Sequence, residues 1–239
     1  MISTRPFLCP AGRGRANLEP WVASADNPWW RPTGSAYPST NLLLPGDVLL
    51  FAPDEPSLVQ RGIARSQKQW GEAEENSRFT HAALYLGLDH IVCEATFGTG
   101  VMYSLLDLNS RLDKYCWIAR RWPGLSLAQR ERILTMAVRY YVGKPYNWRS
   151  ALAEGIKRDS GANWEQEERG LVCSRLCERS IVLALLEASR DSGDDALDLP
   201  ADGYSFTEKP REFVTPAVLG RTKRLVDVEL SWRRVTAWA

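Results

Sequence analysis

From position 42 onwards, the spacing of apolar residues predicts two kinds of element. Short apolar or alternating runs, bounded by glycine, proline or asparagine, predict strands. These strands are the end of 41–51, then 80–86, 89–96, 101–106 and 115–122. Apolar residues at intervals of three or four predict helices. These helices cover 57–70, 126–141, 148–156 and 172–188. In the tail, Val226, Val228, Leu230 and Trp232 alternate with polar residues, which predicts a last strand.

Local signals indicate where the helices begin and end. Ser126 followed by Gln129 forms a capping box, and Gly143 and Pro145 close the helix that follows it. A polar loop is predicted between the first helix and Ser77. Because most strands come in succession and the helices cluster apart from them, we expect an α+β domain with a mostly antiparallel sheet packed against helices.

The first 41 residues follow neither period. They are rich in proline, glycine, asparagine and serine, and they contain Trp21, Trp29 and Trp30. We interpret 1–41 as an irregular extension whose tryptophans pack on the domain, since a freely solvated tail rarely carries so much aromatic surface. The predicted organisation is this extension followed by one domain at 42–239.

The charge balance argues against a polyanionic partner. Lysine and arginine number 30 and aspartate and glutamate 29, which leaves a formal net charge of +1 over 239 residues. With so little excess charge, we expect no binding to nucleic acid or to an anionic membrane.

Three features bear on localisation. The start lacks the apolar segment of a secretory signal peptide, and no apolar run, the best being 181–186, approaches the length of a membrane span. Five cysteines, an odd number without framework spacing, indicate free thiols in a reducing compartment. We therefore expect a cytoplasmic protein, or one exported by a system that reads no signal peptide.

Most familiar catalytic motifs are absent. There are only two histidines, His81 and His90, and no CxxC pair, which argues against zinc and other metal sites. The chain has no P-loop, no G-x-G-x-x-G and no G-x-S-x-G. We expect no cofactor, and the remaining candidate chemistry is that of a cysteine with a histidine.

Cys173 lies in the first turn of the helix predicted at 172–188. Unpaired amides and the positive end of the helix dipole lower a thiol pKa there, and the thiolate is the nucleophile. The same amides, with Ser174 next in the chain, are placed to hold an oxyanion. Taken alone, a cysteine at a helix start also fits a small buried residue. Cys177 and Cys93 are predicted to be core residues.

His81 opens the strand at 80–86. A two-residue turn at Gly87–Leu88 pairs His81 with Glu94, and directly opposed residues share one face of an antiparallel pair. Glu94 would then accept the second imidazole N–H, as the third member of a triad does. The alternative is an exposed ion pair on a solvated sheet face. His90 shares that face but lies near the turn, which suits catalysis less well.

Five short motifs occur in an order that resembles the permuted NlpC/P60 superfamily, in particular its YiiX-like cysteine hydrolases. They are Pro45-Gly-Asp-Val-Leu-Leu-Phe51, Phe79-Thr-His-Ala-Ala-Leu-Tyr-Leu-Gly87, Val92-Cys-Glu-Ala95, Gly143-Lys-Pro-Tyr-Asn147 and Val172-Cys-Ser-Arg-Leu176. The tail 214–219 also resembles that branch. The resemblance covers roughly 44–228, leaves 1–40 unexplained, and implies a circularly permuted papain-like fold.

Carried over from that family, the resemblance implies a general base at His81, an orienting residue at Glu94 and a nucleophile at Cys173. Tyr146 matches a tyrosine near the nucleophile that helps to bind substrate or oxyanion, and Ser174 joins it as a candidate for that role. Arg175 departs from the glutamate that relatives often carry after Cys-Ser, which puts local charge and substrate choice in doubt.

The function expected first is an amidase or peptidase that cleaves cell-wall (peptidoglycan) peptides through a thioester. Delivery as an antibacterial effector would bring it to the wall, with a delivery or immunity partner that the sequence does not identify. The second is a lipid esterase or acyltransferase with the same triad, although the asparagine-cysteine-glutamate-histidine motif of lecithin:retinol acyltransferase-like enzymes is absent. The third is a non-catalytic binding module on this fold.

Overall fold

The structure is a computed structural model. It describes 42–53, 55–87, 91–106, 115–147, 171–192 and 214–228, and the backbone of four short strands outside these ranges. The described strands are β1 (Phe7–Leu8), β2 (Trp29–Trp30), β3 (Ala36–Pro38), β4 (Val48–Pro53), β5 (His81–Tyr85), β6 (Ile91–Thr96), β7 (Gly100–Leu105), β8 (Tyr115–Arg121), β9 (Val226–Asp227) and β10 (Trp232–Arg234). The described helices are α1 (Leu58–Gln69), α2 (Glu74–Ser77), α3 (Leu127–Met136), α4 (Cys173–Ser192) and α5 (Pro216–Arg221).

One large sheet organises these elements. Its strands lie in the order β2-β1-β8-β4-β5-β6-β7, with β9 beside β8. The pairs within it are antiparallel except for β1 with β2, which run parallel. The α+β class with a mostly antiparallel sheet and accompanying helices is therefore confirmed.

The central strands are buried on both faces of the sheet. The strand period of two divides their side chains between two apolar clusters. Leu50 and Leu84 belong to the cluster that contains side chains of α3, α4 and α5. Phe51, Ala83 and Trp117 belong to the cluster on the other face. The helix α4 thus packs on one face, directly over β5 and β6.

A buried glutamine anchors the segment that leads into β5. Gln67 of α1 donates from Nε2 to the carbonyl oxygens of Ser77 and Phe79, at 2.9 Å each. Its Oε1 accepts from the amide of Ala217 at 3.0 Å. One side chain therefore satisfies three backbone groups from two segments and fixes the chain just before His81.

Serine side chains cap the N-termini of two helices. Ser57 caps α1, and Ser126 caps α3, where Ser126 and Gln129 form the predicted capping box. The helix predicted at 57–70 is confirmed, and so is the start of the one predicted at 126–141. The helix predicted at 148–156 lies outside the described residues.

Two local differences from expectation have physical causes. The loop predicted before Ser77 contains α2, a single turn that is too short to produce a helical period in the sequence. The helix that starts as α3 ends in a π-helical turn, Ala137–Tyr141. There Gly143 donates to the carbonyl of Val101 on β7, so the helix end is tied to the sheet. π-helices are rare and occur mostly as single turns like this one.

The tail and the N-terminal extension also differ from expectation. β9 pairs with β8, whereas β10 pairs with β3 in a separate two-stranded sheet. The prediction of a single tail strand is therefore wrong, because alternation indicates a half-buried strand and not the sheet to which it belongs. Residues 1–41 are not wholly irregular either, since they contribute β1, β2 and β3.

We predict that Gln67→Leu destabilises the protein strongly and Gln69→Leu does not. Gln67 is 1% exposed, whereas Gln69 is exposed on the same helix. Each buried backbone group left without a partner costs about 1–3 kcal/mol, so we expect a loss of at least about 2 kcal/mol for Gln67→Leu. Thermal and urea unfolding of both variants measure this. Equal losses in the two variants would contradict the anchoring role.

Candidate functional site

His81 and Glu94 lie on one face of the sheet, on neighbouring strands. Ala83 pairs with Glu94 and Tyr85 with Val92, and the amide of Leu86 donates to the carbonyl of Ile91. His81 therefore lies diagonally across from Glu94. The predicted direct pairing of the two is wrong, but the register differs by two residues, so they still share a face.

The register differs because the connection is longer than a two-residue turn. Residues 87–90 join the strands, since Leu86 and Ile91 are the bonded pair that closes them. Gly87 has a φ of 81° and packs so closely on Pro45 that a Cβ would lie 2.5 Å from that ring. This tertiary contact is invisible in the local sequence. His90 lies outside the described residues.

A hydrogen bond joins the two side chains. Nε2 of His81 lies 2.6 Å from Oε2 of Glu94, whose side chain is 1% exposed. Phe51 packs its ring 5.8 Å from the imidazole, centroid to centroid, and limits the ring's rotation. The predicted His81–Glu94 contact is thus present, in a half-buried setting rather than on a solvated face.

Ser104 adds a second hydrogen bond to Glu94, and sequence analysis missed this residue. Its hydroxyl donates to Oε1 of Glu94, the oxygen that His81 does not use. On β7, Met102 lies opposite Glu94 and Ser104 lies opposite Val92, so Ser104 is on the same face as the carboxylate. The period of two carried across the β6–β7 turn was the signal that could have found it.

Cys173 is the first residue of α4 and lies against the start of β5. Its sulfur accepts hydrogen bonds from the amides of Ala82 and Ser174 and shares one with the imidazole of His81. Leu86 donates to β6, so even-numbered amides of β5 point towards that strand, and the Ala82 amide does likewise. The sulfur therefore lies where the pairing of β5 with β6 ends.

The two ring nitrogens of His81 face different partners. Because Nε2 bonds to Glu94, Nδ1 is the nitrogen left to face Cys173. Cys173 is 6% exposed and the His81 side chain 19% exposed. The pair is therefore largely shielded from water, with the imidazole at the opening.

The electrostatics favour a thiolate–imidazolium pair. Burial of His81 lowers its pKa, but the negative charges of Cys173 and Glu94 outweigh this and raise the pKa to about 9, from an ordinary 6.5. Burial of Cys173 raises its pKa, but the imidazolium and the two amides outweigh this and lower it below the ordinary value. Each partner thus holds the other in its charged form.

The other described cysteines have the opposite character. Burial raises the pKa of Cys93 to about 12 and that of Cys177 well above its ordinary range. Both side chains are fully buried in the cluster under α4, as predicted for core residues. Among Cys93, Cys173 and Cys177, only Cys173 has a lowered pKa.

Backbone pairing brings Tyr146 close to the segment that leads into Cys173. Tyr146 forms a parallel bridge with Leu171, two residues before Cys173. The amide of Leu171 donates to Pro145, and that of Asn147 donates to Leu171. The motif around Tyr146 and the motif around Cys173 are therefore neighbours in space, as the resemblance implies.

Ser174 and Arg175 contribute in ways that the sequence did not specify. The Ser174 side chain is 2% exposed, so it is the backbone amide of this residue that faces the sulfur. Arg175 is buried and bonds at 2.6 Å to Glu178, one turn further along α4. The positive charge that departs from the family pattern is thus balanced within the helix.

The described residues contain no group of three or more histidine, cysteine or acidic side chains placed to hold a metal ion. None of the helices in the described ranges is long and apolar enough to cross a membrane. No protein-family model matches the sequence, and no curated protein matches it. The resemblance to the permuted NlpC/P60 superfamily thus rests on its five motifs.

We predict that Cys173 is alkylated fastest of all cysteines in the native protein. Its lowered pKa provides thiolate near neutral pH, whereas Cys93, with a pKa of about 12, stays protonated there. Limiting iodoacetamide at pH 7 followed by peptide mapping measures this. Preferential labelling of Cys93 or Cys177 would show that the assignment is wrong.

We predict that Ser104→Ala moves the pH midpoint of Cys173 alkylation upwards. The variant removes a donor that orients Glu94, so the imidazolium is held less firmly. A hydrogen bond to a charged group contributes about 1.5–3 kcal/mol, which is about one to two pKa units at Glu94 itself. Because the effect reaches Cys173 only through His81, we expect a smaller shift there, of up to about one unit. Ser104→Thr keeps the hydroxyl and should restore the midpoint. An unchanged midpoint in Ser104→Ala would exclude a positioning role.

Proposed function

We propose that this protein is a cysteine hydrolase with Cys173 as nucleophile, His81 as general base and acid, and Glu94 as the residue that orients and stabilises the imidazolium. The observation that carries the proposal is the hydrogen-bonded row from Cys173 through His81 to Glu94. A buried cysteine with only a packing role needs no charged partner, and Cys177, one turn away, has a raised pKa.

The row supports a two-step acyl transfer. The Cys173 thiolate attacks the substrate carbonyl, and the oxyanion forms beside the first turn of α4, where amides such as that of Ser174 favour negative charge. His81 gives its proton to the leaving amine or alcohol, and a thioester to Cys173 remains. His81 then takes a proton from water, the resulting hydroxide attacks the thioester, and the acid product and the thiolate are released.

The order of these groups along the chain supports a circularly permuted papain-like fold. His81 and Glu94 come first, on β5 and β6, and the nucleophile helix α4 follows them. This is the order in the permuted NlpC/P60 superfamily, as the five motifs imply. We extend the proposal to membership of its YiiX-like branch.

For the substrate, the motifs favour a peptide amide, and we propose a cell-wall peptide, reached by a delivered effector. A second candidate, an acyl lipid, is favoured by a different observation. Phe97, at the turn after β6, is 78% exposed. Its ring meets that of Tyr146 edge to face, with centroids 6.2 Å apart, and contiguous apolar surface of this kind marks binding sites more than single exposed side chains do. Thiolate attack serves esters and amides alike, so the triad itself does not choose between them.

We predict that Cys173→Ala and His81→Ala each abolish hydrolysis, and that the double variant is no worse than either single one, because such residues act as a unit. The wild type and these variants are incubated with peptidoglycan and, separately, with phospholipid vesicles, and products are identified by mass spectrometry. Cys177→Ala, one turn along α4, is the matched control and should keep activity if circular dichroism shows that it folds.

The pH profile adds a signature of the pair. Activity should rise as Cys173 ionises, below the ordinary thiol range, and fall as His81 loses its proton near pH 9. Additive losses in the double variant, or full activity in Cys173→Ala, would contradict the proposal.

A further inference from the structure

The β6–β7 turn presents apolar side chains to solvent beside the proposed nucleophile. Phe97 is 78% exposed, and its ring meets that of Tyr146 edge to face, with centroids 6.2 Å apart. Tyr146 packs in turn on the apolar cluster that contains Cys173. Two aromatic rings in edge-to-face contact form an apolar surface here.

Two independent pairings place this surface at the catalytic row. The β5–β6 register that sets Ala83 opposite Glu94 brings His81 level with Thr96, the residue before Phe97. From the other side, Tyr146 pairs with Leu171, two residues before Cys173. Phe97 follows β6, which carries Glu94, and Tyr146 lies close to the start of α4, which carries Cys173. The contact between the two rings therefore joins the two parts of the proposed catalytic site.

The surface is held in place before any substrate binds. The amide of Val101 donates to the carbonyl of Lys144, and the amide of Gly143 donates to the carbonyl of Val101. Gly100 has a φ of 81°, and a Cβ there would lie 2.3 Å from the Lys144 carbonyl oxygen. This close approach locks the turn that carries Phe97 to the segment that carries Tyr146.

From these contacts we infer that Phe97 and Tyr146 form a subsite for the apolar part of the substrate's acyl group. The inference rests on the proposed hydrolase activity and favours its second substrate candidate, the acyl lipid, over the wall peptide. The ammonium of Lys144, two residues before Tyr146, lies over the ring of Tyr141, at 5.3 Å. A subsite of this chemistry fits an aliphatic acyl chain and offers little to the small polar residues and carboxylates of a wall peptide. The acyl chain is therefore the occupant that the surface favours.

The experiment measures kcat/KM for 4-nitrophenyl acetate, butyrate, hexanoate and octanoate, below their micelle-forming concentrations. In the wild type we expect a rise of at least about tenfold from acetate to octanoate, because each methylene buried adds to binding. Phe97→Ser should flatten this rise, and Phe97→Leu should restore part of it. Leu58→Ser is the matched control, since Leu58 is 79% exposed at the far end of α1.

The outcomes separate the subsite from the proposed function. If hydrolysis depends on Cys173 but shows no chain-length preference, or keeps it in Phe97→Ser, the subsite is wrong and the hydrolase proposal stands. If Cys173→Ala hydrolyses the esters as fast as the wild type, the hydrolase proposal fails first. Release of fatty acid from phosphatidylcholine vesicles that Phe97→Ser reduces and Leu58→Ser does not would support the acyl-chain occupant. Cleavage of wall peptides that Phe97→Ser reduces, with vesicles untouched, would overturn it.

Discussion

The charge pair between Cys173 and His81 forms where burial opposes both charges. Water cannot stabilise a thiolate that is 6% exposed, and burial alone would leave both groups neutral. The pair forms only because each charge has partners at hydrogen-bonding distance. The amides of Ala82 and Ser174 stabilise the sulfur, and the carboxylate of Glu94 stabilises the imidazolium. The rest of the structure can be understood as what keeps these partners in place.

Each neighbouring strand contributes one element to that support. β4 supplies the Phe51 ring beside the imidazole, β6 the carboxylate of Glu94, and β7 the hydroxyl of Ser104 behind it. The other layer supplies α4, whose first residue is Cys173, the proposed nucleophile. Gln67 fixes the approach to β5 by bonding the carbonyls of Ser77 and Phe79. The row is therefore a product of sheet register and helix placement together.

Sequence periodicity predicted the elements well, because the spacing of apolar residues reflects which faces of a helix or strand are buried. It also placed His81 and Glu94 on one face, and this held despite a wrong register because a shift of two residues preserves the face. The register itself differs because the connection at 87–90 is longer than a two-residue turn, and it begins at Gly87, whose packing on Pro45 is a tertiary contact that no local pattern encodes. The role of the Ala82 amide follows only from this register, whereas Ser104 could have been found by carrying the period of two across the β6–β7 turn.

The most direct measurement is the titration of His81 by NMR in protein labelled selectively at histidine. The chain has only His81 and His90, so their two signals can be assigned with a His90→Gln variant. The charge pair predicts that His81 titrates near pH 9 in the wild type and well below that in Cys173→Ala, where burial remains but the thiolate is gone. If His81 titrates near its ordinary pKa of 6.5 in both proteins, no thiolate–imidazolium pair exists and the account is wrong.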